Sequence, residues 1–261
     1  MNFIKIDNIH MPELEIYSQL RDHAFTKDNS FIADSPKVVN LLLEADIEVK
    51  SILATEQYYE EFQELIASKN IPILFVADKK EMEKIIGHKL HHNCMMHGVR
   101  PPLAPLEELE DHVLMLDAIS SSENIGAIAR SAAALGVNSY LLPTQAPHPF
   151  GRRALRVSMG YASRLKISIY EDIFTTIQNL QAMGYRVFGA EVCAESIPLG
   201  KIDVPKKWVL LMGHEGKGLS KEVQDACDVL VEIEMMPEIK SFNVGVAASI
   251  LMYKFKNAQL K

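Results

Sequence analysis

Cysteine is scarce in this chain: 261 residues hold 3, at positions 94, 193 and 227. Their odd number, wide spacing and lack of any C-x-x-C argue against a disulfide framework and a cysteine-based zinc site, so they read as reduced, packed thiols. Long apolar runs are missing too. Trp208 to Met212 and Val244 to Tyr253, the longest, fall short of the roughly 20 residues a membrane span needs, and the amino terminus lacks a basic-then-apolar leader pattern. The chain is therefore expected to be soluble and cytoplasmic, with no membrane partner. Two nucleotide signatures are absent as well, the ordered G-x-G-x-x-G and the G-x-x-x-x-G-K-[ST] phosphate loop. Without the first, and without an acidic residue about 20 positions beyond it, a dinucleotide-dependent oxidoreductase is not supported.

Acid is absent from one long stretch. The formal net charge is −7, which argues against indiscriminate coating of nucleic acid. Yet Asn124 through Tyr170 contains neither Asp nor Glu while carrying Arg130, Arg152, Arg153, Arg156, Arg164 and Lys166. Such a segment can make a local positive surface on an acidic protein, and phosphate contacts are local. The alternative is that these cations pair with acids elsewhere in the fold.

What is present is ordinary globular composition, 48% apolar and 23% charged, with apolar β runs alternating with helical patterns. Three prolines between Val99 and Asp111 mark a linker, because proline is poorly tolerated inside helices and sheets. We therefore expect a smaller α/β/α domain over 1–100, a linker over 101–110 and a larger domain over 111–261. In the first, a helix is expected near Pro12 to Thr26, and another from Ser35-Pro36, a cap followed by proline at the first position. A strand over 49–54, a helix over 56–69, a strand over 71–77 and a short helix over 81–86 follow. In the second, strands are expected at 113–117, 137–142, 186–190, 208–212 and 229–233, separated by helices at 125–135, 154–161, 173–183, 220–227 and 244–255. The fold class is α/β, with a mostly parallel sheet covered on both faces.

Three polar or glycine-rich turns follow apolar strands, the layout that builds one crevice for a small ligand. Asn124, Gly126 and Arg130 form N-x-G-x-x-x-R. Gly213 to Ser220 reads G-H-E-G-K-G-L-S. Ile233-Glu-Met235 precedes Ser241-Phe-Asn-Val-Gly-Val-Ala247, and Arg156, Ser158 and Gly160 form R-x-S-x-G. Together, in this order and spacing, these segments resemble the SpoU/TrmH family of RNA ribose 2′-O-methyltransferases of the knotted SPOUT class. Phe31 to Val39 and the closing His97-Gly98-Val99 are similar to the ribosomal-protein-like substrate-binding domain that many members carry.

The resemblance implies a carboxyl-terminal trefoil knot, a homodimer, S-adenosylmethionine as methyl donor and RNA as substrate, with ribosomal RNA favoured over tRNA. A non-catalytic RNA-binding protein of the same fold is the rival. The donor would be held by Gly213, Ile233 and Phe242, with Met212, Glu215, Gly216, Met235 and Met236 lining its pocket. Glu215 could instead serve as an acceptor for backbone amides. Catalysis would fall to Arg130, with Asn124, Ser241 and Asn243 orienting the target hydroxyl. Asn124, Ser241 and Asn243 could also cap the helices they open. Arg152, Arg153 and Arg156 are candidates for RNA contact. Against the family pattern, His214 stands in place of Asn, Phe242 and Gly245 in place of Leu and Ser, and Pro237 where Gly is common. The cluster His88, His91, His92, Cys94 and His97 lacks a cysteine pair and reads as a surface or RNA-facing segment, so no metal is expected.

Overall fold

Local signals set most helix starts. Strand β1 (Phe3–Lys5) and short helix α1 (Glu15–Ser18) precede β2 (Ser30–Asp34). The Ser35 hydroxyl then accepts the Val38 amide at 3.5 Å and Pro36 occupies the first turn, starting α2 (Pro36–Glu44). After β3 (Val49–Ala54), the Thr55 hydroxyl caps α3 (Glu56–Glu61), and α4 (Gln63–Ala67) follows. Beyond β4 (Ile73–Val76), a reciprocal capping box of Asp78 and Glu81 starts α5 (Lys79–Ile86), which ends on left-handed Gly87. Strand β5 (Cys94–Val99) completes this series.

The computed structural model describes residues 3–19 and 28–258. Strands β1 to β5 form a five-stranded sheet in the order β1-β4-β3-β5-β2, with β5 antiparallel to both neighbours. Tyr17, Leu53, Phe75, Met82 and Met95 are among its core residues. The helix expected over 12–26 is helical to Ser18, and its continuation over 20–27 lies outside the described residues. The helix expected over 56–69 is interrupted at Phe62, whose φ of −115° departs from helical geometry. Cys94 and His97 lie in β5 rather than in a loop, with the Cys94 thiol buried.

The larger sheet begins with β6 (His112–Leu116), α6 (Ser122–Leu135) and β7 (Ser139–Pro143). Helix α7 (Arg152–Ser158) comes next, then β8 (Lys166–Tyr170), α8 (Ile173–Ala182), β9 (Arg186–Ala190) and two-residue β10 (Ile197–Pro198). β11 (Trp208–Met212), α9 (Lys221–Ala226), β12 (Val229–Glu232) and α10 (Val244–Ala258) finish the chain. The seven strands run β10-β12-β9-β11-β6-β7-β8, every pair parallel. Both faces are covered, which is why β11 is buried throughout. Val209 and Leu211 join the cluster beneath Ile177 and Leu180 of α8, while Trp208 turns its ring to Phe255 of α10 at 5.1 Å. The mostly parallel α/β class is thus the observed one.

Two compact units divide the chain: Met1–Pro102 with His148–Ser163, and Leu103–Pro147 with Arg164–Lys261. Segment 148–163, expected within one continuous domain over 111–261, therefore packs with the first unit. The reason is electrostatic. Asp34 at the end of β2 is only 4% exposed, and its carboxylate takes the guanidiniums of Arg152 and Arg156, each at 2.6 Å. Burial alone would raise its pKa, but the two cations hold it below the usual carboxylate range. Phe31 against Phe150, at 5.1 Å, adds an apolar contact, and left-handed Gly160 lies against Leu41 and the Val38 carbonyl. Arg152 and Arg156 thus have an ion-paired structural role, the alternative noted for the acid-free stretch; Arg153 is exposed.

Candidate active site

Strands β12, β9 and β11 are neighbours, and all run in the same direction, so the loops that leave their carboxyl ends share one edge of the sheet. There they enclose a cleft of about 610 Å³. Of the residues expected to hold the donor, Met212, Gly213, Glu215, Gly216, Ile233, Met235 and Phe242 line it, and so does Ser241. Met236 does not, and is 69% exposed.

The turn after β11 is closed on itself. His214 N–H donates to the Gly218 carbonyl at 3.2 Å, and Gly218 N–H to the His214 carbonyl at 2.9 Å. The Gly216 amide donates to His214 Nδ1 at 2.9 Å. A Cβ at Gly213 would lie 2.5 Å from the Gly218 carbonyl carbon, so only glycine lets the two backbones meet. Gly218 has φ +66° and sits against the Glu191 carboxylate, which accepts the Leu219 amide at 2.7 Å and the Val192 amide at 3.1 Å. Glu191 lines the cleft and was not among the candidates; its signal was an acid immediately after the apolar run 186–190.

A polar chain joins the three motifs. Asn243 Oδ1 accepts the Gly245 amide at 2.9 Å and the Val246 amide at 3.4 Å, capping α10. With its oxygen so used, Nδ2 donates to Asn124 Oδ1 at 3.2 Å. Asn124 Nδ2 in turn donates to Glu215 Oε1 at 3.0 Å. The cap therefore fixes the direction of the whole relay. Glu215 also accepts the Ser121 amide at 3.1 Å and the Ser120 amide at 3.4 Å. Burial raises its pKa, but these hydrogen bonds outweigh that and the net shift is downward. Asn124 does not cap α6; Ser121 does, accepting the Asn124 amide at 3.3 Å. Gly245 lies near Ala127 and Ile128, where the first turn of α10 meets α6.

Arg130 is exposed, outside the residues lining the cleft, and has no hydrogen-bond or ion-pair partner among the described residues. Asn124 and Arg130 are six residues apart, about 9 Å of helix rise and about 120° of rotation, so they face different directions.

Known proteins resemble this chain in sequence and in fold. The SpoU rRNA methylase family model matches residues 111–253. An uncharacterized tRNA/rRNA methyltransferase of Mycolicibacterium paratuberculosis is 31% identical over 196 residues, 71% of this chain and 62% of that protein. The 23S rRNA (guanosine-2′-O-)-methyltransferase RlmB of Xylella fastidiosa is 32% identical over 142 residues, 54% of this chain and 57% of its own length. The chain thus spans about three fifths of the length of these curated relatives. Among solved structures, an AdoMet-bound rRNA methyltransferase from Sinorhizobium meliloti shares the fold with a TM-score of 0.85, at 21% identity and 99% coverage of both chains. The SpoU methyltransferase AviRb from Streptomyces viridochromogenes, in complex with AdoMet, gives 0.82 at 19% identity, covering 96% of this chain and 99% of its own. Since the family model covers more than half of the chain and includes the three motif loops, this protein belongs to the SpoU rRNA methylase family.

Proposed function

We propose that this chain is an S-adenosylmethionine-dependent RNA methyltransferase acting on a ribose 2′-hydroxyl, of ribosomal RNA in preference to tRNA, in the cytoplasm. The observation that carries the reading is the cleft at the carboxyl ends of β9, β11 and β12, lined by two of the motifs and tied through the Asn243–Asn124–Glu215 chain to the third. Its volume suits a small cofactor. The residues fit the group: the Gly213 turn leaves no room for a Cβ, and Ile233, Phe242 and Leu251 offer apolar walls for an adenine. When bound, S-adenosylmethionine supplies a methyl group already activated on a sulfonium.

The chain's own residues divide the remaining work. Gly213, Ile233 and Phe242 would hold the donor through backbone groups, with Met212, Gly216 and Met235 beside them. Glu215 has only neutral hydrogen-bond donors, so it keeps its negative charge at the cleft, where a cationic ligand benefits from it. Ser241 and the remaining amide hydrogens of Asn124 and Asn243 would orient the target hydroxyl. Arg130 is always charged, which makes it a poor base; it would grip the phosphate beside the target ribose and stabilise the developing alkoxide.

Because Arg130 lies outside its own cleft lining, the reading includes a homodimer in which a second copy faces this arginine toward the site. Sedimentation velocity should give a dimer mass; a monomer at every concentration would remove that part. The family's trefoil knot belongs to the same reading, and a crystallographic trace over 190–258 that closes without threading would remove it. The preference for ribosomal RNA draws on RlmB and the S. meliloti protein, whose names specify rRNA. Incubation with total RNA and labelled methyl donor should place label on a ribose 2′-oxygen of ribosomal RNA. Label on tRNA would change the substrate, and donor binding without transfer to any RNA would sink the enzymatic reading.

A further inference from the structure

His214, the departure from the family's asparagine, is built into the turn through its side chain as well as its backbone. Its Nδ1 accepts the Gly216 amide at 2.9 Å inside the ring closed by the His214–Gly218 pair. A ring nitrogen that accepts a hydrogen bond carries no proton, so this contact selects the neutral imidazole with its hydrogen on Nε2. Nε2 has no hydrogen-bond partner among the described residues, and His214 lines the cleft. An asparagine offers the same pair of groups, one acceptor for the turn and one donor to spare.

The two side chains part company on protonation. An amide keeps its acceptor at any physiological pH, whereas an imidazole can gain a proton between about pH 5 and 8. Once Nδ1 carries hydrogen, it faces the Gly216 N–H donor to donor, and the contact must open. Gly216 and Gly218 bring no side chain to replace it, and the Glu215 carboxylate of the same turn is already engaged by the Ser121 amide and Asn124 Nδ2.

The geometry points to His214 as a proton-sensitive positioning residue: neutral, it holds the 213–218 turn in the shape that receives the methyl donor, and protonated, it releases that turn. This inference rests on the donor-binding reading of the cleft. The charged groups facing it are Asp117 just after β6, Glu215 and Lys217 of the same loop, Glu191 after β9, Glu232 at the end of β12 and Lys240 before α10. Asp117 is close enough for the ring's charge to act on its carboxyl, which burial otherwise raises. It therefore offers an imidazolium a counter-charge. All of these groups remain in His214→Asn, so any pH dependence they cause persists in that variant.

The test is titration calorimetry of S-adenosylmethionine against the full chain, His214→Asn and His214→Ala, at several values between about pH 5.5 and 8. Melting temperatures would be taken alongside. For the unmodified protein, affinity should weaken on the acid side with a slope that levels off after about tenfold, the worth of the one hydrogen bond that opens. His214→Asn should restore the neutral-pH affinity and lose that slope. His214→Ala should bind about tenfold more weakly at every pH while melting close to the parent, the effect of one missing hydrogen bond in the turn. A parent protein with flat affinity, an asparagine variant with the parent's slope, or an alanine variant that binds as tightly as the parent would each overturn the inference alone. A parent that binds no donor at any pH would overturn the donor-binding reading together with it.

Discussion

Asp34 in the first unit and Glu215 in the second are carboxylates drawn out of water, and both are shifted toward the ionised form against the effect of burial. The means differ. Asp34 is met by two guanidiniums, so its charge is more than cancelled where it sits. Glu215 is met by an asparagine amide and two backbone N–H groups, all neutral, so its charge survives and faces the cleft. Neutral donors stabilise an anion without extinguishing its field; cations do both. A downward shift alone therefore does not separate a structural carboxylate from one that can act on a ligand, whereas the charge of its partners does.

Asp34→Ala should break this contrast most strongly, by leaving two guanidiniums without their buried counter-ion. A loss of about 3–5 kcal/mol in denaturant unfolding is expected, with donor affinity retained. A loss below about 1 kcal/mol would reduce the pair to an ordinary surface contact. The sign with pH follows from the depressed pKa. The stabilisation is fully present above the unfolded carboxylate value of about 3.9 and is lost as pH falls through the lower folded value. Acid titration of the melting temperature in parent and variant should converge below that range.

Arg130 sharpens the contrast from the cationic side. Without a partner among the described residues, Arg130→Ala should leave stability unchanged. Its kcat should fall by about 10²–10³-fold or more with donor affinity intact, and near-normal turnover would exclude it from catalysis. Glu215→Gln comes next. It removes charge at constant size and should weaken donor binding by about tenfold, a charge-assisted contact's share, with a smaller effect on melting. Unchanged binding would mean that the surviving charge has no ligand to act on. Asn243→Ala, which removes the α10 cap and the first link of the relay, should cost about 1 kcal/mol.

Particular elements show how far the sequence could be read. The spans 49–54, 186–190 and 208–212 match β3, β9 and β11, because their mainly apolar residues belong to strands largely buried on both faces, β11 throughout. Ser35-Pro36 marked its helix for a purely local reason, one hydroxyl and one fixed φ. β8 went unseen because its KISIY sequence lies inside the arginine-rich stretch, where charge masked the strand pattern of the apolar residues. β5 was obscured by its histidine-rich approach. In the cleft, the glycines and the two motif loops at 213–220 and 233–247 were legible; Glu191 was not, since a lone acid after a strand has no distinctive spacing.

Local chemistry determined the helices, the buried strands and the glycine turns, because caps, apolar runs and bare backbone act over a few residues. The amino-acid order alone therefore specified the parallel α/β class and the loops that surround the cleft. It could not decide that Arg152 and Arg156 would clasp Asp34 from 118 and 122 residues away, or that Asn243 would reach Asn124 across 119. Such pairings have no local signature. They exist only when the folded backbone brings a donor within hydrogen-bond distance of an acceptor, and that proximity also separates an arginine that holds the fold from one left open to a ligand.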